Sequence, residues 1–163
     1  LPPGEGKVWT ITTESGRDGP RLTLKTECKV EDEATGKFTP LEVQVRGDAT
    51  PDWGTNPMTQ VVTIKLVSLG GPVFPEETLI FLPDGNKRNI FGAGQTASEI
   101  RQTAQGSLNC PTFVAAGPAA IIRTLAGSQF AVGAVGAIKF RLDDEQIRGL
   151  SELLRRIDNA LPR

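Results

Sequence analysis

Three short runs of carboxylates and two cysteines are the groups in this chain that could do chemistry. The runs are Glu31-Asp32-Glu33, Glu76-Glu77 and Asp143-Asp144-Glu145. Paired carboxylates can exchange protons with a substrate or hold calcium. The first run sits in a turn and lacks the alternating spacing of a calcium loop. The second opens a strand, and the third stands where a helix begins and negative charge favours the dipole. Solvated charge is the plainer account of all three. No histidine and no tyrosine occur among the 163 residues. That removes Ser-His-Asp and Cys-His nucleophiles, histidine bases and every zinc site built on imidazole. We therefore expect no metal and no cofactor.

Cys28 and Cys110 cannot form a four-ligand zinc site alone, and no Cys-x-x-Cys pair is present. The functional reading is one structural disulfide in an exported protein, stabilising by roughly 4–5 kcal/mol in the chain-entropy model. The plain alternative is two buried thiols in a cytoplasmic protein. The sequence starts at Leu1-Pro2-Pro3-Gly4 without methionine. We read that as trimming or signal-peptide removal, so the expected location is periplasmic or secreted.

Other motifs fall away singly. Gly92-Ala93-Gly94-Gln95-Thr96-Ala97 matches the loose dinucleotide pattern, yet a hairpin turn precedes it where a βαβ unit is needed. There is no G-x-S-x-G elbow, no S-x-x-K and no phosphate-binding loop. The one loop of unusual content spans residues 47–58 between strands, with Asp48, Asp52, Trp53, Asn56 and two prolines. A tryptophan on a stiffened loop is a recognition anchor in many interfaces. Alternatively Trp53 folds back as a lid over the open end of the core.

The elements that must position these groups are mainly strands. Leu22, Leu24, Thr26, Cys28 and Val30 share one face, and Thr23, Lys25, Glu27 and Lys29 the other. Leu41, Val43 and Val45 alternate with Glu42, Gln44 and Arg46. Val62, Ile64 and Leu66 alternate with Thr63 and Lys65. An opening strand is expected over 7–13, an apolar one over 79–82, and a hairpin turn at Pro83-Asp84-Gly85-Asn86. Residues 96–105 read equally as helix or strand. A short helix is expected near 118–126, between Pro118 and Gly127. Alternating residues from Phe130 to Leu142 make a final strand, split at Gly133 or Gly136. Asp143 and Gln146 form a capping box for a helix near 143–160. Its apolar stripe is Ile147, Leu150, Leu153, Leu154, Ile157 and Leu161, with Glu152 and Arg156 paired on the wet side.

Eighteen basic and nineteen acidic residues leave a net charge of −1, scattered along the chain. No basic face for nucleic acid shows, and the apolar stretches fall far short of the ~20 residues of a membrane helix. The length suits one domain, residues 1–163, able to bury roughly 70% of its unfolded surface. The expected fold is a β-sandwich or bent antiparallel sheet, closed by the terminal helix.

In arrangement the chain resembles the small periplasmic β-proteins of the invasion-associated locus B type of alphaproteobacteria. The likeness lies in the Trp9 strand before the Cys28 strand, the hairpin through Asp84-Gly85, the Cys110 region, the 118–125 helix, and the 138–142 strand running into a terminal helix. It implies an exported, non-enzymatic protein and supplies no catalytic residues. The first functional expectation is thus a non-catalytic exported domain binding a protein or envelope component through the 47–58 loop or a sheet edge. The alternatives are an enzyme using carboxylates alone, such as a glycoside hydrolase or isomerase, and a structural subunit assembled through strand edges.

Overall fold

A computed structural model describes residues 8–31, 36–50, 53 and 60–160. It is mainly β. In chain order the elements are β1 (Trp9–Ser15), β2 (Pro20–Glu31), β3 (Phe38–Asp48), β4 (Val61–Ser68), β5 (Thr78–Pro83), β6 (Asn89–Thr103), β7 (Gly106–Pro118), α1 (Ala119–Ala126), β8 (Ala131–Val135), β9 (Ile138–Leu142) and α2 (Asp144–Ala160). The strands form one antiparallel sheet ordered β1-β2-β3-β4-β7-β6-β5-β8-β9. The sheet bends until β9 returns against β2, although six strands lie between them in the order.

Alternation decides what this bend encloses. Leu22, Leu24, Cys28 and Val30 of β2 point inward with Leu41, Val43 and Val45 of β3 and Val62, Ile64 and Leu66 of β4. Phe81 meets Phe91 and Phe140 edge-on, with ring centroids 5.9 and 6.2 Å apart. Helix α2 lays Ile147, Leu150, Leu153, Leu154 and Ile157 onto this core, as its periodicity requires. Gly149 sits under Trp9, where a Cβ would lie 2.8 Å from the indole, so the helix crosses β1 closely only because the side chain is missing.

The expected capping box forms. The Asp143 N–H donates to Gln146 Oε1 at 2.9 Å, and the Gln146 N–H donates to Asp143 Oδ1 at 3.2 Å. Gln146 is itself buried and does more than cap. Its Nε2 donates to Thr26 Oγ1 and to the Glu27 carbonyl, both at 3.0 Å, and contacts Cys28 Sγ at 3.4 Å. It thereby satisfies β2 where β2 runs on past its pairing with β1.

The stretch that reads as either helix or strand is strand. Residues 96–103 belong to β6, which pairs with β7 from Gly94↔Ala115 to Thr103↔Gly106, whereas β4 pairs with β7 only from Thr112 onward. The far half of this hairpin projects beyond β4, so both faces carry polar residues and neither period shows. The Gly92-x-Gly94 pattern lies inside β6. A Cβ at Gly94 would strike the Phe113 ring, and one at Gly92 the Ala116 carbonyl, so these glycines serve close strand packing.

Candidate functional site

Of the 47–58 loop the structure describes residues 47–50 and 53. Trp53 is 3% exposed. Its Nε1–H donates to Asp158 Oδ1 at 2.9 Å, its carbonyl accepts from the Gln60 side chain, and the Arg123 guanidinium lies 5.9 Å from the ring centroid. Arg123 also pairs with Asp158 at 3.1 Å. Trp53 thus lies folded back over the core, tied to α2 by its indole nitrogen and to α1 by the Arg123 guanidinium against its ring. Asp48 pairs across the sheet with Arg21 at 2.9 Å. Asp52 and Asn56 lie outside the described residues.

The Cys28–Cys110 disulfide is corrected. Both cysteines are free and buried. Cys28 is on the inner face beside Gln146, and burial pushes its thiol up to about 12 against the opposing Gln146 hydrogen bond. Cys110 alternates with the inward Pro111 and Phe113, so it faces outward, in register with Glu99 of β6. A sheet separates the two side chains, and β3 and β4 stand between their strands. A bridge needs Cα atoms within about 7 Å and Cβ vectors that converge. Alkylation of the native protein is expected to label neither thiol, and of the unfolded, unreduced protein to label both. A reductant-dependent second thiol in mass spectrometry would reinstate the bridge.

What looks in the sequence like a solvated face is the organised part of the surface. Strand register places Thr12, Thr23, Arg46 and Thr63 in one row across β1 to β4. The next row holds Lys25, Gln44, Lys65 and Val114. With Glu14 these side chains line a groove of about 340 Å³ on the outer face. Beside it runs a network of charges. Arg101 of β6 grips Glu42 of β3 with two hydrogen bonds, 3.2 and 2.7 Å, and its Nε donates to Glu99 at 2.9 Å. Lys65 reaches the other Glu99 oxygen at 2.6 Å, and Gln44 Nε2 donates to Glu42 at 2.7 Å. The network crosses buried outward-facing residues: Val67 in register with Glu42, Cys110 in register with Glu99, and Thr112 beside Val67.

The electrostatics follow from these contacts. Burial works to raise Glu42, but hydrogen bonds from Arg101 and Gln44 outweigh it and hold the carboxyl below its ordinary range. Lys65 and then Arg101 lower Glu99 in the same way. Both groups stay ionised at neutral pH, so neither carries the proton that a general acid must donate. Among the described residues no three Cys, Asp or Glu side chains converge as metal ligands would. Among them, too, no helix is long and apolar enough to cross a membrane. The groove, by contrast, offers hydrogen-bond donors of three kinds: ammonium or guanidinium, amide and hydroxyl.

The sequence places Lys25, Gln44, Arg46 and Lys65 on the outer face but does not join them. The only signal is alternation, and alternation says nothing about which outward residues of separate strands stand side by side. Comparison with known proteins finds no matching family model, no matching curated protein and no matching solved structure.

Proposed function

We propose that this protein is a non-catalytic binding domain that holds a polar protein or envelope component across the outer face of β1 to β4 and β7. The observation that carries the reading is the groove. Five strands contribute to a concave surface lined by Thr12, Thr23, Lys25, Gln44, Arg46, Thr63, Lys65 and Val114, with Glu14 as its only carboxylate among the described residues. The pair of carboxylates that does converge, Glu42 and Glu99, is bridged by one guanidinium. That arrangement favours holding a ligand over transferring protons. A likeness to the invasion-associated locus B type supports the same reading and would place the protein in the periplasm. With the disulfide gone, the export reading rests on that likeness.

Heparin, a sulfated polysaccharide, serves as a polyanionic stand-in for an envelope polymer. Titrated into the isotope-labelled protein at low salt, it is expected to shift amide resonances of β2, β3 and β4 and to be recovered at unchanged length. Shifts confined to the α1–α2 side, or no shifts at all, would remove the outer face as the binding surface. Shortened heparin would remove the non-catalytic reading.

A further inference from the structure

We infer that the centre of this groove seats a tetrahedral oxyanion, the phosphate or sulfate group of a small ester. The inference rests on the outer face being the binding surface and narrows it to a ligand class. Lys25 faces Gln44, and Arg46 stands two residues further along β3, facing Thr23. The two cations are thus diagonal neighbours on one face, which puts them ~7–8 Å apart at the backbone and within reach of each other's long side chains. Like charges so placed repel unless something between answers them. The nearby carboxylates are engaged elsewhere: Asp48 by Arg21, Glu42 by Arg101, and Glu99 by Lys65 and Arg101. Glu14 is in register with Arg21 and adds to the field there. Lys25 acts on Glu42 only through space. Among the described residues Arg46 has no ion-pair partner. An anion between Lys25 and Arg46 relieves that repulsion, and a concave surface lined by three cations against one carboxylate raises its local concentration.

The number and direction of donors select the shape of the anion. In its row Arg46 has a threonine hydroxyl on either side, Thr23 on β2 and Thr63 on β4. Lys25 approaches from the diagonal, and Lys65 stands beyond Gln44. Donors therefore come from three strands at several angles. A carboxylate presents two oxygens in one plane and is matched by a single guanidinium fork. A phosphate or sulfate presents three outward oxygens and uses the hydroxyls and the ammonium as well. The groove, about 340 Å³, lies at the small end of ligand cavities. It has room for one such group and a short organic remainder directed either to Thr12 on β1 or to Val114 on β7.

The test is titration calorimetry and amide-shift mapping on the full chain at low salt, using inorganic phosphate, glycerol 3-phosphate, sulfate and acetate. Phosphate, sulfate and glycerol 3-phosphate are expected to shift Thr23, Gln44, Arg46 and Thr63, the ester binding tightest. Acetate is expected to bind about tenfold more weakly, and Arg46→Ala and Lys25→Ala each to weaken phosphate about tenfold, as loss of one charge-assisted contact predicts. Arg148→Ala, on the exposed side of α2, should change nothing. A preference between phosphate and sulfate supports the inference in either direction and names the ester. Acetate binding as well as phosphate, or phosphate binding untouched by both groove variants, overturns it. If the small anions fail while heparin still maps to this face, the oxyanion seat is wrong and the binding surface stands. If both fail, both readings fall.

Discussion

Replacing Trp53 with alanine is expected to destabilise the protein by about 3–5 kcal/mol and to leave oxyanion binding unchanged. For a chain of this length that lowers the thermal midpoint by on the order of 10 °C. The cause is that the indole fills the end of the core and its N–H answers Asp158, itself held by Arg123. Burial works to raise Asp158, but hydrogen bonds from Arg123 and Trp53 hold it below its ordinary value. Removing the indole opens a cavity and takes one donor from that carboxylate. Trp53→Phe keeps most of the apolar volume and loses only the hydrogen bond, so its cost should be about 1–2 kcal/mol. Guanidinium unfolding of the three proteins decides the matter. A near-native midpoint for Trp53→Ala, combined with loss of ligand binding, would return Trp53 to the role of recognition anchor.

The second large effect is expected at Arg101. Among the described residues its guanidinium is the only group that touches both Glu42 and Glu99, and its side chain and that of Glu42 are 29% and 18% exposed. Arg101→Ala leaves a partly buried carboxylate with only Gln44 as a close donor and should destabilise by about 1–3 kcal/mol at neutral pH. The effect has a pH signature. In the folded protein both carboxyls ionise below their ordinary values, so the unfolded chain binds their protons more readily. Their contribution is therefore complete above the unfolded carboxylate range, near 4.3 on the model-peptide scale, and is lost as pH falls through the folded values. The wild type should lose stability on that acid limb and Arg101→Ala much less, so the two curves converge at low pH. Parallel curves would mean that the network contributes nothing beyond packing. Loss of the Arg101 stem should also speed labelling of Cys110, while Cys28, beneath the opposite face, keeps its protection.

These two sites differ in how far the sequence reveals them. Trp53 stands out by type and loop context, and the amino-acid order alone poses both of its roles, anchor and lid. Choosing between them needs Asp158, 105 residues away in the chain. Arg101 carries no such signal, because it lies in the stretch that reads equally as helix or strand. Its partner Glu42 is 59 positions away and looks like one polar residue among others in an alternating strand.

The sequence by itself determined the local order. Period-two alternation marked β2, β3 and β4 and assigned each residue to the inner or outer face. Turn chemistry placed the hairpin at Asp84-Gly85, and a period near 3.6 with a capping box set α2. These are properties of neighbours along the chain, where covalent geometry dictates which side chains share a face. The tertiary structure alone decided which faces meet. It put the two cysteines on opposite sides of a sheet, turned Trp53 inward, and lined up Lys25, Gln44 and Lys65 from three separate strands. Strand order and register are set by burial of the whole apolar set at once, a sum over the chain that no short window contains.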